Sequence, residues 1–287
     1  MGQNIPSFCK FVIHTFKNTL MLAFANAKIN LGLNVIEKRA DGYHNLETVF
    51  YPVKLYDVLE ISDAAETSCQ IRGIDIPGEM TDNICLSAFK LLQQDFDIPA
   101  QQITLLKRIP VGAGLGGGSA DAAFLIKLLN EKFKLGLTTQ VMEDYAGELG
   151  ADCPFFIKDE PVFAAGKGDL FTPLNIDLSG YFMALVKPPV HVSTAAAFGT
   201  LQPAFPETGL KELIQLPVSE WRKSLKNDFE QSVFSKYPEI SQIKEQLYHA
   251  GATFALMSGS GSSVFAIFEE AVTLPQLEKD NKVFYNI

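Results

Sequence analysis

The sequence predicts an α+β fold, built as about two domains or one large one. Three observations carry this expectation. From Met21 the pattern reads as strand, so the first seventy residues are β-rich. Beyond them helices and strands mix without the regular strand–helix alternation of a doubly wound sheet. The 287 residues also exceed what one average domain needs and suffice to bury a large core without disulfides or metal.

From Met21 onward the elements follow in order. Apolar and polar or small residues alternate with period two over 22–25 and 29–36, which predicts strand. Arg39-Ala40-Asp41-Gly42 is a turn, because Asp-Gly supplies local hydrogen bonding and a positive φ. Strand-like runs follow at 48–53, 57–61 and 68–71. Residues 83–96 suit an amphipathic helix, and 102–109 a strand closed by Pro110. A glycine cluster comes next. A helix is then predicted from Ser119, with Ala122, Leu125, Ile126 and Leu129 on one face, and another over 139–149, ending at Gly150. Apolar runs predict strands at 155–157 and 181–186. Residues 200–250 read as helices separated by Pro203, Pro206, Pro217 and Pro238, and strands return at 253–257 and 264–268 around a Gly/Ser loop.

Composition excludes several classes of function. Thirty-three acidic against twenty-four basic residues give a net charge of −9, the wrong sign for attraction to a nucleic-acid polymer. No apolar run reaches the roughly 18 residues of a membrane span. Cys9, Cys69, Cys85 and Cys153, like His14, His44, His191 and His249, are scattered. They form neither a zinc motif nor a disulfide framework, so no metal ligand is assigned and a reducing, cytoplasmic setting is expected. Residues 1–20 carry Lys10, Lys17 and a short apolar stretch but no A-x-A-like cleavage site, and read as a dispensable or upstream-start extension.

The most informative stretch is Pro110-Val111-Gly112-Ala113-Gly114-Leu115-Gly116-Gly117-Gly118-Ser119-Ala120. Five glycines in seven positions let backbone N–H groups approach a ligand closely, and the following helix adds the positive end of its dipole. Together these make an anion site that needs no basic residue, most naturally for phosphates. The alternative is a mobile surface loop. The cluster lacks the lysine of a Walker A loop. It fits G-x-G-x-x-G at Gly112, Gly114 and Gly117, but a second helix follows where a dinucleotide fold needs a parallel strand ending in an acid.

Pro110 with Gly114-Leu115-Gly116 and the helix behind resembles the phosphate loop of the GHMP kinases. Most of that superfamily carries paired serines after Gly-Leu-Gly. Gly117-Gly118 stand here instead, as in the branch that phosphorylates 4-diphosphocytidyl-2-C-methyl-D-erythritol, so Ser119 is the nearest hydroxyl. Ala27-Lys28-Ile29-Asn30-Leu31, Arg39 to His44, Gly150-Ala151-Asp152-Cys153-Pro154-Phe155-Phe156 and the 258–263 loop are similar to the same branch. The resemblance implies a two-lobed fold, an N-terminal ATP-binding lobe over 21–178 and a C-terminal α/β lobe over 179–287, with the active site in the cleft between.

It also implies roles. Asp152 would be the general base and Lys28 would stabilise charge on the transferring group, while Pro110 to Ala120 would hold ATP with its Mg²⁺. Tyr43 and His44 would stack on and hydrogen-bond a cytosine, Asn30 would orient the alcohol, and Thr194 and Phe198 would form the opposite wall. A GHMP kinase of homoserine or mevalonate type, or a non-catalytic nucleotide-binding regulator on the same fold, are the alternatives. Oligomeric state is left open.

Overall fold

The computed structural model describes residues 14–16, 20–76, 83–199 and 201–287. The expectation for 1–20 therefore lies largely outside the described residues, apart from β1 (His14–Phe16) and the first residue of β2 (Leu20–Lys38). The chain forms two compact units interleaved along the sequence. One takes in the chain up to Asn26, Tyr56–Ile109 and Gly117–Glu160; the other takes in Ala27–Leu55, Pro110–Gly116 and Pro161–Ile287. Two long strands, β2 and β3 (His44–Asp63), each continue from one unit into the other. Each was expected as two shorter runs; Asn26 and Lys28, between the two runs of β2, are buried and hydrogen-bonded, as are Asn30 and Asp57 at the starts of the later runs, so the strands continue through them.

In the first unit the end of β3 pairs antiparallel with β5 (Gln101–Lys107), which pairs parallel with β4 (Ser68–Gly73). A parallel pair needs a crossover, and α1 (Ile84–Asp95) supplies it. Asn83 caps α1 by accepting from the Cys85 amide at 2.9 Å. Behind lie α2 (Gly117–Phe133) and α3 (Thr139–Leu149), the latter capped by Thr138. α2 begins two residues before the serine that composition favoured. Glycine at 117 is needed inside the first turn, because a Cβ there would lie 2.8 Å from Ile109 Cγ2 and 3.0 Å from Lys107 Nζ.

The strand expected at 155–157 is instead a four-residue helix, α4 (Phe155–Lys158). Three apolar residues cannot reveal a period. Pro154 sits at φ −60°, ψ −29°, already helical, and Asp159 ends the turn in the left-handed region, its N–H bonded to the Phe155 carbonyl at 2.9 Å.

In the second unit, β6 (Val162–Ala165) pairs with β3 and with β7 (Leu170–Pro173). A four-stranded antiparallel sheet runs β11 (Lys282–Tyr285), β8 (Phe182–Lys187), β10 (Val264–Phe268), β9 (Phe254–Met257). The helices are α5 (Thr194–Phe198), α6 (Leu210–Leu213), α7 (Val218–Ser224), α8 (Phe229–Lys236), α9 (Pro238–His249) and α10 (Pro275–Glu278). Pro238 opens α9 at its first position, where a missing N–H costs nothing. α9 packs on β9 and β10, and Ile240, Ile243 and Leu247 join Ala255, Met257 and Ala266 in one apolar cluster. Met257 and Phe265 are core residues, as expected.

Candidate active site

The glycine loop is shaped by what its carbonyls accept. Within the second unit, the Ala113 carbonyl takes the Ser263 amide at 3.3 Å, Gly114 takes the Ser258 hydroxyl at 2.8 Å and Leu115 takes the Lys28 amide at 2.9 Å. In a trans peptide the next N–H points opposite to the carbonyl. The amides of Gly114, Leu115 and Gly116 therefore face away from these donors, as a phosphate cradle requires. Gly114 is obligatory: its φ is +77°, and a Cβ would stand 2.0 Å from the Ser258 carbonyl oxygen. The 258–263 loop is thus a bonded wall of the glycine loop and not a loose hairpin; Ser258, Ser262 and Ser263 are fully buried.

Lys28 and Asn30 belong to the same network. Lys28 Nζ donates to Asn30 Oδ1 at 2.7 Å and lies 4.5 Å from the centroid of the Phe50 ring. Asn30 Nδ2 donates to Thr48 Oγ1 at 2.8 Å, which donates to the Gly32 carbonyl at 2.6 Å. Asn30 is 1% exposed, so its amide fixes the height and direction of the lysine ammonium.

Tyr43 and His44 follow the predicted turn. The Arg39 amide donates to the Tyr43 carbonyl at 2.8 Å, and Asp41 Oδ1 accepts from the Tyr43 amide at 3.1 Å. Desolvation opposes ionisation of Asp41. The Tyr43 amide and the Arg39 guanidinium outweigh it and hold the carboxyl below its ordinary range. Tyr43 is exposed, with Lys167 Nζ 5.3 Å from its ring centroid. His44 stacks on Phe198, at a centroid distance of 4.5 Å and an interplanar angle of 20°. Thr194 opens α5, of which Phe198 is the last residue, and Ser193 caps it by accepting from the Ala196 amide at 3.2 Å.

In the first unit, Asp152 sits half-buried in the turn after α3. The Cys153 amide donates to the Gly150 carbonyl at 3.1 Å. Burial pushes the Cys153 thiol up to about 11, against the hydrogen bond it makes with the Ser119 side chain. Ser119 stands in the first turn of α2, so the Asp152 turn is tied to the helix start that follows the glycine loop.

One cluster of this site escaped the sequence. Lys107 Nζ, 2% exposed, lies 2.5 Å from Asp57 Oδ2 and 2.6 Å from Asp121 Oδ2. Asp57 Oδ1 also accepts the amides of Arg108 at 2.5 Å and Ile109 at 2.8 Å. The strand before the glycine loop and the helix after it are therefore clamped at one buried lysine. Burial drives the Asp121 carboxyl well above its ordinary value, despite Lys107, and its Oδ1 accepts no hydrogen bond. The signal was available: Lys107 falls on the buried face of β5, in step with Gln101, Ile103 and Leu105.

Among the described residues no group of three or more His, Cys, Asp or Glu side chains is set to hold a metal ion. The oxygen donors at hand, the Ser119 hydroxyl and the Asp152 carboxylate, suit Mg²⁺ bound chiefly through a nucleotide. Among the same residues no helix is long and apolar enough to cross a membrane.

A glycine loop ahead of a helix, walled by a second Gly/Ser loop and joined to a buried lysine, is an arrangement suited to phosphoryl transfer onto a small molecule. The model of the GHMP kinases N terminal domain matches residues 83–160, and that of the GHMP kinases C terminal domain matches 210–281. The chain belongs to the GHMP kinase family. Within it, the chain is 54% identical over 264 residues to 4-diphosphocytidyl-2-C-methyl-D-erythritol kinase of Bacteroides fragilis (strain YCH46), covering 90% of this chain and 96% of that one. The Bacteroides thetaiotaomicron enzyme of the same name is 52% identical over 268 residues, covering 92% and 98%. A crystal structure of 4-(cytidine 5'-diphospho)-2C-methyl-D-erythritol kinase matches with a TM-score of 0.77 at 28% identity, over 92% of this chain and 98% of that one.

Proposed function

We propose that this chain transfers the γ-phosphoryl group of ATP to the 2-hydroxyl of 4-diphosphocytidyl-2-C-methyl-D-erythritol, a step of non-mevalonate isoprenoid precursor synthesis. The observation that carries this substrate is the His44–Phe198 stack. The two residues that resemblance assigns to a cytosine come from distant segments and form one aromatic platform, in a chain whose relatives at 47–54% identity bear that activity in their names.

The alcohol oxygen attacks the γ-phosphorus, the bond to the β-phosphate bridging oxygen breaks, and ADP leaves. Asp152 takes the hydroxyl proton. Lys28, aimed by Asn30, stabilises charge on the transferring group. The amides of residues 112–120 hold the phosphates, so an acidic chain takes its anion through backbone. The Ser119 hydroxyl and the Asp152 carboxylate would help hold a Mg²⁺ carried by the nucleotide, which would supply charge neutralisation. Tyr43 and His44 bind the cytosine; Phe198, expected on the opposite wall with Thr194, instead backs the His44 ring directly, so the base takes the other face of that platform. Residues 21–178 and 179–287 serve as the N- and C-terminal kinase domains. The free, buried Cys69, Cys85 and Cys153 suit a reducing, cytoplasmic compartment.

The test is ADP release by purified protein with Mg-ATP and a panel of alcohols. Turnover with the diphosphocytidyl alcohol supports the proposal; turnover with homoserine or mevalonate in its place overturns the substrate assignment.

A further inference from the structure

The strand β8 leads into α5 through a segment pinned from two sides. Lys187 Nζ donates to the carbonyls of Pro188 at 2.5 Å and Val190 at 2.8 Å. The Ser262 hydroxyl, from the wall of the glycine loop, donates to the same Val190 carbonyl at 2.6 Å. The next residue, His191, is exposed, yet its ring lies against the glycine loop. Cε1 and Nδ1 stand 2.7 and 2.9 Å from the point where a Cβ on Gly112 would be. The imidazole fills the space that any other residue type at 112 would take with its own side chain. All these groups belong to one unit.

The chemistry of the loop gives that ring a use. Backbone amides offer a polyphosphate only partial charges, and in this unit the Lys28 ammonium is already bonded to Asn30. An imidazole is a donor through at least one ring nitrogen whether neutral or protonated. We propose that His191 is a nucleotide-binding residue, donating to a phosphate oxygen of the polyphosphate seated on residues 112–116. The inference rests on the kinase reading above and adds a side-chain contact to a loop otherwise made of amides.

The experiment measures binding of ADP and of inorganic tripolyphosphate by calorimetry, and of adenosine by competition, to the full chain and its His191→Ala and His191→Gln variants. Loss of a hydrogen bond to a charged group weakens ADP and tripolyphosphate about tenfold or more in His191→Ala, with adenosine unchanged. His191→Gln, which keeps a donor, recovers part of that loss. In the assay, KM for ATP rises about tenfold with kcat and KM for the alcohol nearly unchanged. Unaltered ADP binding in His191→Ala, or equal loss of adenosine and ADP, overturns the inference while leaving the kinase reading intact. An unsubstituted chain that binds no adenine nucleotide overturns both.

Discussion

His44 and Phe198 lie ring on ring, 4.5 Å apart and 20° from parallel, one at the start of a long strand and the other at the end of a short helix. Phe198 is itself braced edge-on by Phe229 at 4.7 Å, so the platform is backed by the apolar cluster of its unit. Base stacking on such a ring is worth about 1–3 kcal/mol. His44→Ala is expected to raise KM for the diphosphocytidyl alcohol about tenfold to a hundredfold, with kcat and KM for ATP little changed. Steady-state kinetics with both substrates varied checks this, and an unchanged alcohol KM would remove His44 from the pocket.

The turn that carries Asp152 is closed by the Cys153 amide and the Cys153–Ser119 contact. Asp152→Asn keeps shape and removes the proton acceptor. Turnover should drop by about 10²–10⁴-fold, the usual share of a general base, while ADP binds as before. Calorimetry with ADP separates the two roles: equal loss of binding and turnover would make Asp152 structural.

Gly114 and Gly118 make a paired test of the loop. Alanine at 114 faces a carbonyl oxygen 2.0 Å from its Cβ and a φ of +77°, and costs more than about 2 kcal/mol of stability. Alanine at 118 meets nothing within 4 Å and stands in a helix, so it adds up to about 1 kcal/mol. Denaturant unfolding of the two variants should move in opposite directions.

Much of this site is legible in one dimension because its parts are local. The glycine loop, the Lys28-Ile29-Asn30 strand and the Asp152 turn each declare themselves within a dozen residues. The Lys107 cluster does not, since its members come from β3, β5 and α2, and only folding brings 57, 107 and 121 to one point. The carbonyl bonds from Ser258, Ser263 and Lys28 into the loop are equally long-range. Residues 155–157 were misread for the opposite reason: the run is too short for a period, and a proline with helical ψ decides it.

Lys107 between Asp57 and Asp121 makes a strong asymmetry. Removing the cation leaves two buried carboxylates facing each other, and breaking a buried pair this way costs about 3–5 kcal/mol. Lys107→Met should therefore unfold at much lower denaturant. Asp121→Asn removes a carboxylate whose Oδ1 accepts no hydrogen bond and leaves one lysine to one aspartate, so its stability at pH 7 should equal or exceed that of the unsubstituted chain. A large loss in Asp121→Asn would show that both charges are required.

Asp159 supplies a pH signature. Burial raises its carboxyl to about 6, against the Asn26 side-chain amide that donates to Oδ1 at 2.8 Å and the charge of Lys127. An unfolded aspartate titrates near 3.9, so here the folded state holds the proton more tightly. The resulting stability is full below about pH 4 and is lost as pH rises through about 6. Asp159→Asn stays uncharged, keeps an acceptor for Asn26, and tolerates the left-handed φ of 58°. The variant should match the unsubstituted chain near pH 4 and exceed it at pH 8, by an amount on the order of 2–3 kcal/mol set by the rise of the carboxyl to about 6. Urea midpoints at pH 4, 6 and 8 read this directly, and a difference constant across that range would mean that Asp159 carries no proton on folding.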